Sequence, residues 1–531
     1  MKYPIGIQTF SEIRENGYVY VDKTDLVYSL VHEGKTYFLS RPRRFGKSLL
    51  VSTLEAYFSG KRELFKGLKI DALEREWKAY PIFHLSFGGQ NFTEPDTLRR
   101  VLEEFVGNAE VIYGPDAYAQ TLGSRFRAVL KRAYEKTGER AVVLIDEYDK
   151  PLLDVMGLGT KVQRPGCKDE ISLEDYNREL LKGFYSVFKE ADVSLQFVLL
   201  TGVTKFSQVS VFSGFNQPND ISMSPKFDTL CGITEQEMVD CFAEPISEMA
   251  EHFGCDFAGM VELLRKQYDG YHFSDRLIGV YNPFSLLNAF YNQRIEDYWF
   301  RTGTPTYLAR LLARNDENLD ELTGKYYPAS HFVDYRADRE MPLPMIYQSG
   351  YLTIKGYRMR TNTFLLDFPN DEVKRGFTAL LANSYFKSGE DADFAVVSFS
   401  DALEDGKLED FRLKLTSFLS SIPYSMRRKE NEREKERYFH YTFYLILRLL
   451  STYMVYTEKQ QSQGRVDCVV ETDKFVYIFE FKLDGTADEA LKQIEDNGYA
   501  AEYATDTRKL YKIGVSFSSE TGTVGDWKVA E

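Results

Sequence analysis

Between residues 36 and 250, short apolar runs alternate with longer amphipathic segments, and this alternation is the strongest constraint on the fold. Such alternation is typical of parallel strands that are connected by covering helices. The predicted strands are TYFLS (36–40), IFHLSF (82–87), AVVLID (141–146), LQFVLLTG (195–202) and TLCGIT (229–234). The sequence therefore predicts an α/β domain built on a parallel sheet with helices on both faces.

The segment RPRRFGKSLL, residues 41–50, follows the first predicted strand and opens the first predicted helix. The usual signature of a phosphate-binding loop is G-x-x-x-x-G-K-[ST], and here Arg41 replaces its first glycine. In this context Gly46 allows close approach of the backbone, Lys47 reaches the β- and γ-phosphates, and Ser48 holds Mg²⁺. Because FGKS alone is a short match, the interpretation depends on what else lies at the same edge of the sheet.

Two later strands bring polar residues to that edge. AVVLIDEYDK places Asp146 and Glu147 directly after a buried run, and LQFVLLTGVTKF ends in Thr201, Thr204 and Lys205. Ligands of open α/β sheets bind at the carboxyl ends of the strands. Asp146 suits the Mg²⁺ shell, Glu147 suits polarisation of the attacking water, and Thr201 suits contact with phosphate or water. An ordinary polar loop at 201–205 explains the last of these patterns equally well.

The stretch YPIGIQTFSEIRENGYVYVDKTDLVYSL, followed by YFLSRPRRFGKSLL, resembles the AAA-ATPase-like family of bacterial and archaeal P-loop NTPases, which carry a C-terminal PD-(D/E)XK nuclease-like domain. The segments YDGYHFS (268–274), VYNPFSLLNAF (280–290) and YQSGYLTI (347–354) are similar to the same family, so the resemblance runs almost from end to end. In that family RPRRFGKS is the usual form of the loop, which implies that Arg41 is an accepted variant.

The resemblance implies ATP and Mg²⁺ as cofactors of the N-terminal domain. Arginine can also bind anions through its fork of donors, so the arginines of the loop are expected to add phosphate contacts. The predicted nucleotide-binding residues are Arg41, Arg43, Arg44, Phe45, Gly46, Lys47, Ser48, Leu49, Asp146 and Thr201. Among them Ser48 and Asp146 are the predicted metal ligands, and Glu147 is the predicted catalytic base.

The tail contains a second cluster of reactive residues in QGRVDCVVETDKFVYIFEFKLDG, residues 463–485. Two apolar runs flank a turn near residues 473–474, as in a hairpin. Antiparallel pairing about that turn places Asp467 opposite Glu480, and Lys482 shares their face because side chains alternate along a strand. Two carboxylates can bind Mg²⁺, and the amine can assist a water molecule or steady charge on phosphorus. The pattern indicates phosphodiester hydrolysis, although a structural acid–lysine pair on an exposed hairpin explains these three residues equally well.

The order of elements around this hairpin resembles the PD-(D/E)XK nuclease superfamily. A helix over EREKERYFHYTFYLILRLL precedes the hairpin and would contribute Glu436, and a helix over DEALKQIEDNGYA follows it. The resemblance implies that Glu436 and Lys482 are catalytic and that Asp467 and Glu480 hold the metal. Gln493 and Tyr499, from the second helix and the residues just beyond it, would be accessory. The implied substrate is DNA or RNA.

At 531 residues the chain is too long for a single hydrophobic core. The predicted domains are a P-loop NTPase domain (1–250), a helical and winged-helix-like middle region (251–375) and an α/β restriction-endonuclease-like domain (376–531). The middle region offers no catalytic constellation, and its lone His272 is predicted to be structural.

The formal net charge of −14 disfavours a protein that coats nucleic acid non-specifically, because such binding depends on neutralising phosphates. Five scattered cysteines without a C-x-x-C pair indicate reduced thiols. The N-terminus lacks the apolar core of a signal peptide, and YTFYLILRLL is too short to span a bilayer. We therefore expect a cytoplasmic protein without a membrane partner, for which a homo-oligomer is compatible with the sequence.

The leading hypothesis is an ATP-hydrolysing protein whose C-terminal domain cuts phosphodiester bonds under ATP control. An alternative is a signalling or scaffold ATPase in which the nuclease-like domain is inactive and binds a partner. A small-molecule phosphotransferase is a weaker alternative, because the sequence contains no acceptor-binding motif.

Overall fold

The computed structural model describes residues 1–163, 169–206, 218–301, 308, 322–333, 342–386, 399, 401–421, 454–461 and 464–531. The chain separates into two compact units, residues 1–373 and 374–531. The described helices are α1 (Phe10–Glu15), α2 (Thr24–Glu33), α3 (Lys47–Phe58), α4 (Arg62–Phe65), α5 (Lys69–Leu73), α6 (Thr97–Tyr113), α7 (Leu122–Thr137), α8 (Lys150–Leu153), α9 (Leu173–Tyr185), α10 (Val187–Glu190), α11 (Glu235–Phe253), α12 (Phe257–Tyr268), α13 (Pro283–Asn292), α14 (Tyr298–Arg301), α15 (Leu343–Gln348), α16 (Asp371–Phe386), α17 (Leu408–Ser421) and α18 (Ala487–Asp496).

The described strands are β1 (Thr36–Ser40), β2 (Ile82–Ser86), β3 (Ala141–Asp146), β4 (Lys161–Gln163), β5 (Glu170–Ser172), β6 (Leu195–Gly202), β7 (Asn219–Asp220), β8 (Ile233–Thr234), β9 (Val280–Tyr281), β10 (Lys325–Pro328), β11 (Thr353–Arg358), β12 (Thr363–Asp367), β13 (Met454–Gln461), β14 (Gly464–Glu471), β15 (Phe475–Leu483), β16 (Lys509–Ser518) and β17 (Thr523–Ala530). Among the described residues, no helix combines the length and apolar composition needed to cross a bilayer.

The first unit is organised around a parallel sheet of order β2-β3-β6-β1-β7. Every residue of β3 is buried, as expected for a parallel strand that is covered on both faces. The predicted strands at 36–40, 82–87, 141–146 and 195–202 are confirmed to within one residue. The carboxyl ends of β1, β3 and β6 are therefore neighbours, which brings the candidate nucleotide residues to one edge.

The strand predicted over 229–234 is wrong for most of its length. Only Ile233–Thr234 is a strand, and it pairs antiparallel with Val280–Tyr281 outside the main sheet. Gly232 interrupts the apolar run with a left-handed φ of 95°, and Thr234 already caps helix α11 through a reciprocal pair with Glu237. The fifth strand of the main sheet is instead the two-residue β7, which is too short to be recognised from periodicity.

Beyond the main sheet, the first unit contains helices α11, α12 and α13, which share an apolar cluster that includes Phe242, Leu264 and Phe290. The N-terminal segment reaches this cluster, because Tyr3 stacks on Phe242 and Phe290. Strands β11 and β12 form an antiparallel hairpin, and β10 extends it to a three-stranded antiparallel sheet. His272 Nδ1–H donates to the Ile354 carbonyl oxygen at 2.7 Å, as expected for a structural histidine.

The second unit contains a sheet of order β13-β14-β15-β16-β17, in which only β15 and β16 are parallel among the described pairs. Helix α18 packs on the sheet, with Ile494 and Tyr499 against Val466 and Ile478. Gly514 on β16 lets the helix approach closely, because a Cβ there would overlap the carbonyl oxygen of Ala487. The mixed sheet and its helix confirm an α/β C-terminal fold.

Candidate functional site

The loop between β1 and α3 opens onto a cavity of about 610 Å³, lined by residues of the loop itself, of the β3 end, of the N-terminal segment and of helices α13 and α14. Gly46, with φ of 88°, is the N-cap residue of α3, and because it has no side chain it makes no capping hydrogen bond to the first N–H groups of the helix. Those N–H groups carry the positive end of the helix dipole, which favours an anion. Leu49 and Ser48 line the same cavity. Its size suits a nucleotide-sized ligand.

Lys47 and Ser48 line this cavity, and the Asp146 carboxylate joins Ser48 to Thr201 beside it. Ser48 Oγ donates to Asp146 Oδ2 at 2.6 Å, and Thr201 Oγ1 donates to Asp146 Oδ1 at 2.5 Å. Lys47 Nζ donates to the carbonyl oxygens of Arg41 and Pro42, each at 2.9 Å. Burial lowers the pKa of Lys47, and the neighbouring carboxylate of Asp146 opposes that shift. An anion at the loop would compensate the buried ammonium.

Glu147 and Asp149, both in the turn after β3, line the cavity. Glu147 has a left-handed φ of 55°, uncommon for a residue with a side chain. Asp149 was not singled out from the sequence. It is almost fully buried, and its Oδ2 accepts N–H bonds from Val203 at 3.0 Å and Thr204 at 2.6 Å. Burial raises the pKa of Asp149 to about 6. Asp149 thus joins the turn after β3 to the loop after β6.

Arg41 and Phe45 differ from what was expected of nucleotide-binding residues. The Arg41 guanidinium points into the interior, where Nη1 donates to the Ser222 carbonyl at 2.7 Å and Nη2 to the Phe227 carbonyl at 3.1 Å. It lies 4.0 Å over the ring of Phe273, and Phe45 is buried in edge contact with Tyr271. Both side chains anchor the loop, and it is the carbonyl oxygen of Arg41, not its guanidinium, that faces the Lys47 ammonium.

Arg43 and Arg44 do line the cavity, together with residues from the middle region. The Arg44 guanidinium lies 3.9 Å over the ring of Phe284 on α13, and Trp299 Nε1 donates to the Arg43 carbonyl at 3.0 Å. The segments at 268–274, 280–290 and 347–354 therefore all pack around the loop. The expectation that the middle region offers no catalytic constellation did not anticipate this contribution to the cavity wall.

In the second unit, the predicted hairpin register is confirmed. Cys468 pairs with Phe479, and the same register places Asp467 opposite Glu480. The Asp467 N–H donates to Glu480 Oε2 at 3.4 Å, and Asp467 Oδ2 accepts from the Phe481 N–H at 2.8 Å. The Glu480 side chain is only 1% exposed. Burial, and then the charge of Asp467, raise the pKa of Glu480 well above that of an ordinary glutamate.

Lys482 and Gln493 complete this cluster. Lys482 Nζ lies 3.9 Å from Glu480 Oε1 and donates to Gln493 Oε1 at 2.5 Å, while Gln493 Nε2 donates to Glu480 Oε1. The amide of Gln493 therefore connects the acid and the amine. Tyr499 lies in the core, where Asn497 Nδ2 donates to its hydroxyl at 2.8 Å. The predicted catalytic Glu436 lies outside the described residues.

The donor set of this cluster fits a hard divalent cation. Asp467, which is half-buried, lies opposite the buried Glu480, and a positive ion there would offset both the burial and the repulsion from Asp467 that raise the pKa of Glu480. Within the described ranges, no group of three or more His, Cys, Asp or Glu side chains gathers as a metal site. The two carboxylates would thus share an ion with water and substrate oxygens, as Mg²⁺ commonly does.

A phosphate-binding loop on a parallel sheet, together with an acid–acid–lysine hairpin, defines a P-loop NTPase joined to a nuclease-like domain. The family model described as a predicted AAA-ATPase matches residues 4–212, and the model of the PD-(D/E)XK nuclease superfamily matches residues 434–527. The "Uncharacterized protein in vnfD 5'region" of Azotobacter chroococcum mcd 1 is 34% identical over 529 residues, with 98% of each chain covered. The chain belongs to the AAA-ATPase-like family with a C-terminal PD-(D/E)XK nuclease superfamily domain, as its sequence motifs predicted.

Among solved structures, the chain is similar to the Aeropyrum pernix ORC1 protein in complex with DNA. The two are 12% identical, with 86% of this chain and 90% of that chain covered, at a TM-score of 0.25. A TM-score this low does not establish a common fold, so the architecture described above rests on the chain's own strand order.

Proposed function

We propose that the protein hydrolyses ATP in its first unit and cleaves nucleic-acid phosphodiester bonds in its second unit, with ATP controlling the cleavage. The observation that supports the proposal is the cluster in which Asp467, Lys482 and Gln493 surround the buried carboxylate of Glu480. Burying the Glu480 carboxylate is costly unless it is compensated. A buried acid beside a second acid and an amine, on the central strand of an apolar sheet, is typical of a working site.

In the first unit, the triphosphate would lie on the N–H groups at the start of α3. Lys47 would exchange its two carbonyl partners for phosphate oxygens, and Arg43 and Arg44 would add charge from the cavity rim. Ser48 and Asp146 would hold Mg²⁺, which supplies positive charge at the phosphates. Glu147, at the cavity wall, would accept the proton of the attacking water.

In the second unit, Asp467 and Glu480 would hold Mg²⁺, which supplies positive charge and makes a water molecule more acidic. Lys482 would stabilise the negative charge that develops on the phosphate being attacked. Gln493 keeps both partners in place, because its amide accepts from Lys482 and donates to Glu480. The described cluster supports this assignment of roles to Lys482 and Gln493, and the role of Glu436 remains a prediction from the family resemblance.

A plasmid-cleavage assay tests the proposal. Wild-type protein should nick or linearise supercoiled DNA in Mg²⁺, and Lys482→Ala should lower the rate by about 100-fold or more, as loss of a single charge-stabilising donor does. Lys492→Ala is the matched control, because Lys492 is an exposed lysine one residue from Gln493 on the same helix. Single-stranded DNA and RNA should be tried in parallel.

ATP turnover is measured separately with Lys47→Ala, which should abolish it. If ATP is hydrolysed but no nucleic acid is cleaved under any nucleotide condition, the nuclease half of the proposal is wrong. The second unit would then be a partner-binding domain.

A further inference from the structure

Helix α16 connects the two units in sequence, and its first turn contains a buried acid. The helix starts at Asp371 in the first unit and continues to Phe386. Its second residue, Glu372, is only 1% exposed. Glu372 Oε1 accepts from the backbone N–H of Trp299 at 2.6 Å, and Glu372 Oε2 accepts from Ser285 Oγ at 2.8 Å. The carboxylate therefore joins the start of α16 to α13 and α14.

Trp299 and Ser285, which both donate to Glu372, belong to elements that form the nucleotide cavity. Trp299 itself lines the cavity, and its indole Nε1 donates to the Arg43 carbonyl in the phosphate loop. Ser285 is the neighbour of Phe284, the cavity-lining ring on which Arg44 stacks. Two short chains of contacts thus run from the loop to one carboxylate, one through Trp299 and one through α13.

A simple helix-capping role does not require this burial. An acid in the first turn of a helix is favourable at the surface because of the helix dipole. Asp371 already fills that role, since it is half-buried and 3.8 Å from Lys266 Nζ. The cap itself comes from Asn370, whose Oδ1 accepts from the Val373 N–H at 3.1 Å. A buried Glu372 is costly unless its hydrogen bonds are kept, so its position is tied to those of Trp299 and Ser285.

We propose that Glu372 is a positioning residue that couples occupancy of the nucleotide cavity to helix α16, the segment that leads to the nuclease unit. A nucleotide that contacts Arg43, Arg44 or Trp299 shifts α13 and α14, and Glu372 transmits the shift to the first turn of α16. This inference rests on the proposed function, because it takes the cavity to bind ATP. It adds a physical route by which ATP in the first unit controls cleavage in the second, as the proposed function requires.

Hydrogen–deuterium exchange of the intact chain tests this route without requiring nuclease activity. ATP binding is measured by calorimetry, and exchange is followed for peptides covering residues 371–378 with and without Mg·ATP. In the wild type, ATP should slow exchange in this segment by about fivefold or more, the lower range of typical coupling factors. Glu372→Ala should still bind ATP but lose this protection, and Glu372→Gln, which keeps an acceptor for Trp299 N–H, should retain most of it.

Asp371→Ala is the matched control, because it removes the neighbouring acid of the same helical turn without touching Trp299 or Ser285. It should leave the ATP-dependent protection unchanged. If Glu372→Ala does not fold, Ser285→Ala removes the hydrogen bond from Ser285 to Glu372 and should reduce the protection in part. Full protection in Glu372→Ala, or ATP binding to the wild type without any change in this segment, would overturn the coupling while leaving ATP binding intact. Absence of ATP binding would instead overturn the proposed function, and the coupling with it.

Discussion

Replacing Gly514 with alanine should separate helix α18 from the sheet and disable the carboxylate cluster. The added Cβ would overlap the Ala487 carbonyl oxygen and lie 3.1 Å from both Ala487 C and Leu491 Cγ. Because carbon atoms pack at about 3.5–4.0 Å, the helix must retreat by roughly 0.5–1 Å. Overpacking of this kind costs about 1–3 kcal/mol. A misplacement of about 1 Å can cost about 100-fold in rate, because Gln493 on α18 holds both Glu480 and Lys482.

Two measurements check this prediction. Calorimetric unfolding should show a lower midpoint for the transition of the second unit, and plasmid cleavage should fall by about 100-fold. Gly525→Ala is the control, because it adds a methyl group to the adjacent strand β17, where the nearest atoms would lie 3.6 Å away in ordinary contact. A Gly514→Ala variant with unchanged midpoint and unchanged cleavage would refute the view that close seating of α18 positions the cluster.

Three further predictions concern the first unit. Burial raises the pKa of Asp149 from 3.8 to about 6, so the native state holds this proton more tightly than the unfolded state, and the wild type loses stability as pH rises through that window. The melting temperature of Asp149→Asn minus that of the wild type should therefore increase from pH 4 to pH 6. A difference that does not change with pH would contradict the burial of this carboxyl group. With Trp77 and Trp527 replaced by phenylalanine, the fluorescence of Trp299 should change on addition of Mg·ATP, and no change at saturating ATP would argue against Trp299 as part of the nucleotide cavity. Arg41→Ala should lower the free energy of unfolding by about 3 kcal/mol or more, since it leaves buried carbonyls without a charged donor. Unchanged stability with weakened ATP affinity would instead support the sequence-based prediction that Arg41 contacts phosphate.

The sequence predicted the features that repeat with a local period. Four strands of the first sheet have short apolar runs of their own, and β3 is apolar at every position up to Asp146. The facing positions of Asp467 and Glu480 follow from counting residues back from one turn, because strand register is fixed once the turn is known. Both candidate sites could therefore be located, although their supporting residues could not.

The missed features arise from contacts between distant segments, which leave no periodic signal. The direction of the Arg41 side chain is set by carbonyl groups near residues 222 and 227, and the role of Gly514 is set by a helix that starts at Ala487. Asp149 looks like an ordinary acid after a strand until the loop after β6 supplies its N–H donors. The failed strand at 229–234 has the same origin, since its Gly232 adopts a left-handed φ that composition alone does not reveal.

A titration of nucleotide-free protein with Mn²⁺ is the most decisive measurement of whether Asp467 and Glu480 hold one divalent ion beside Lys482. Manganese prefers the same oxygen ligands as magnesium and can be followed by calorimetry or by its paramagnetic signal. We predict a site that is lost in Asp467→Asn and kept in Asp146→Asn, which alters only the nucleotide cavity. A wild-type protein that binds no Mn²⁺, or a site that survives Asp467→Asn unchanged, would show that these two carboxylates do not hold the ion.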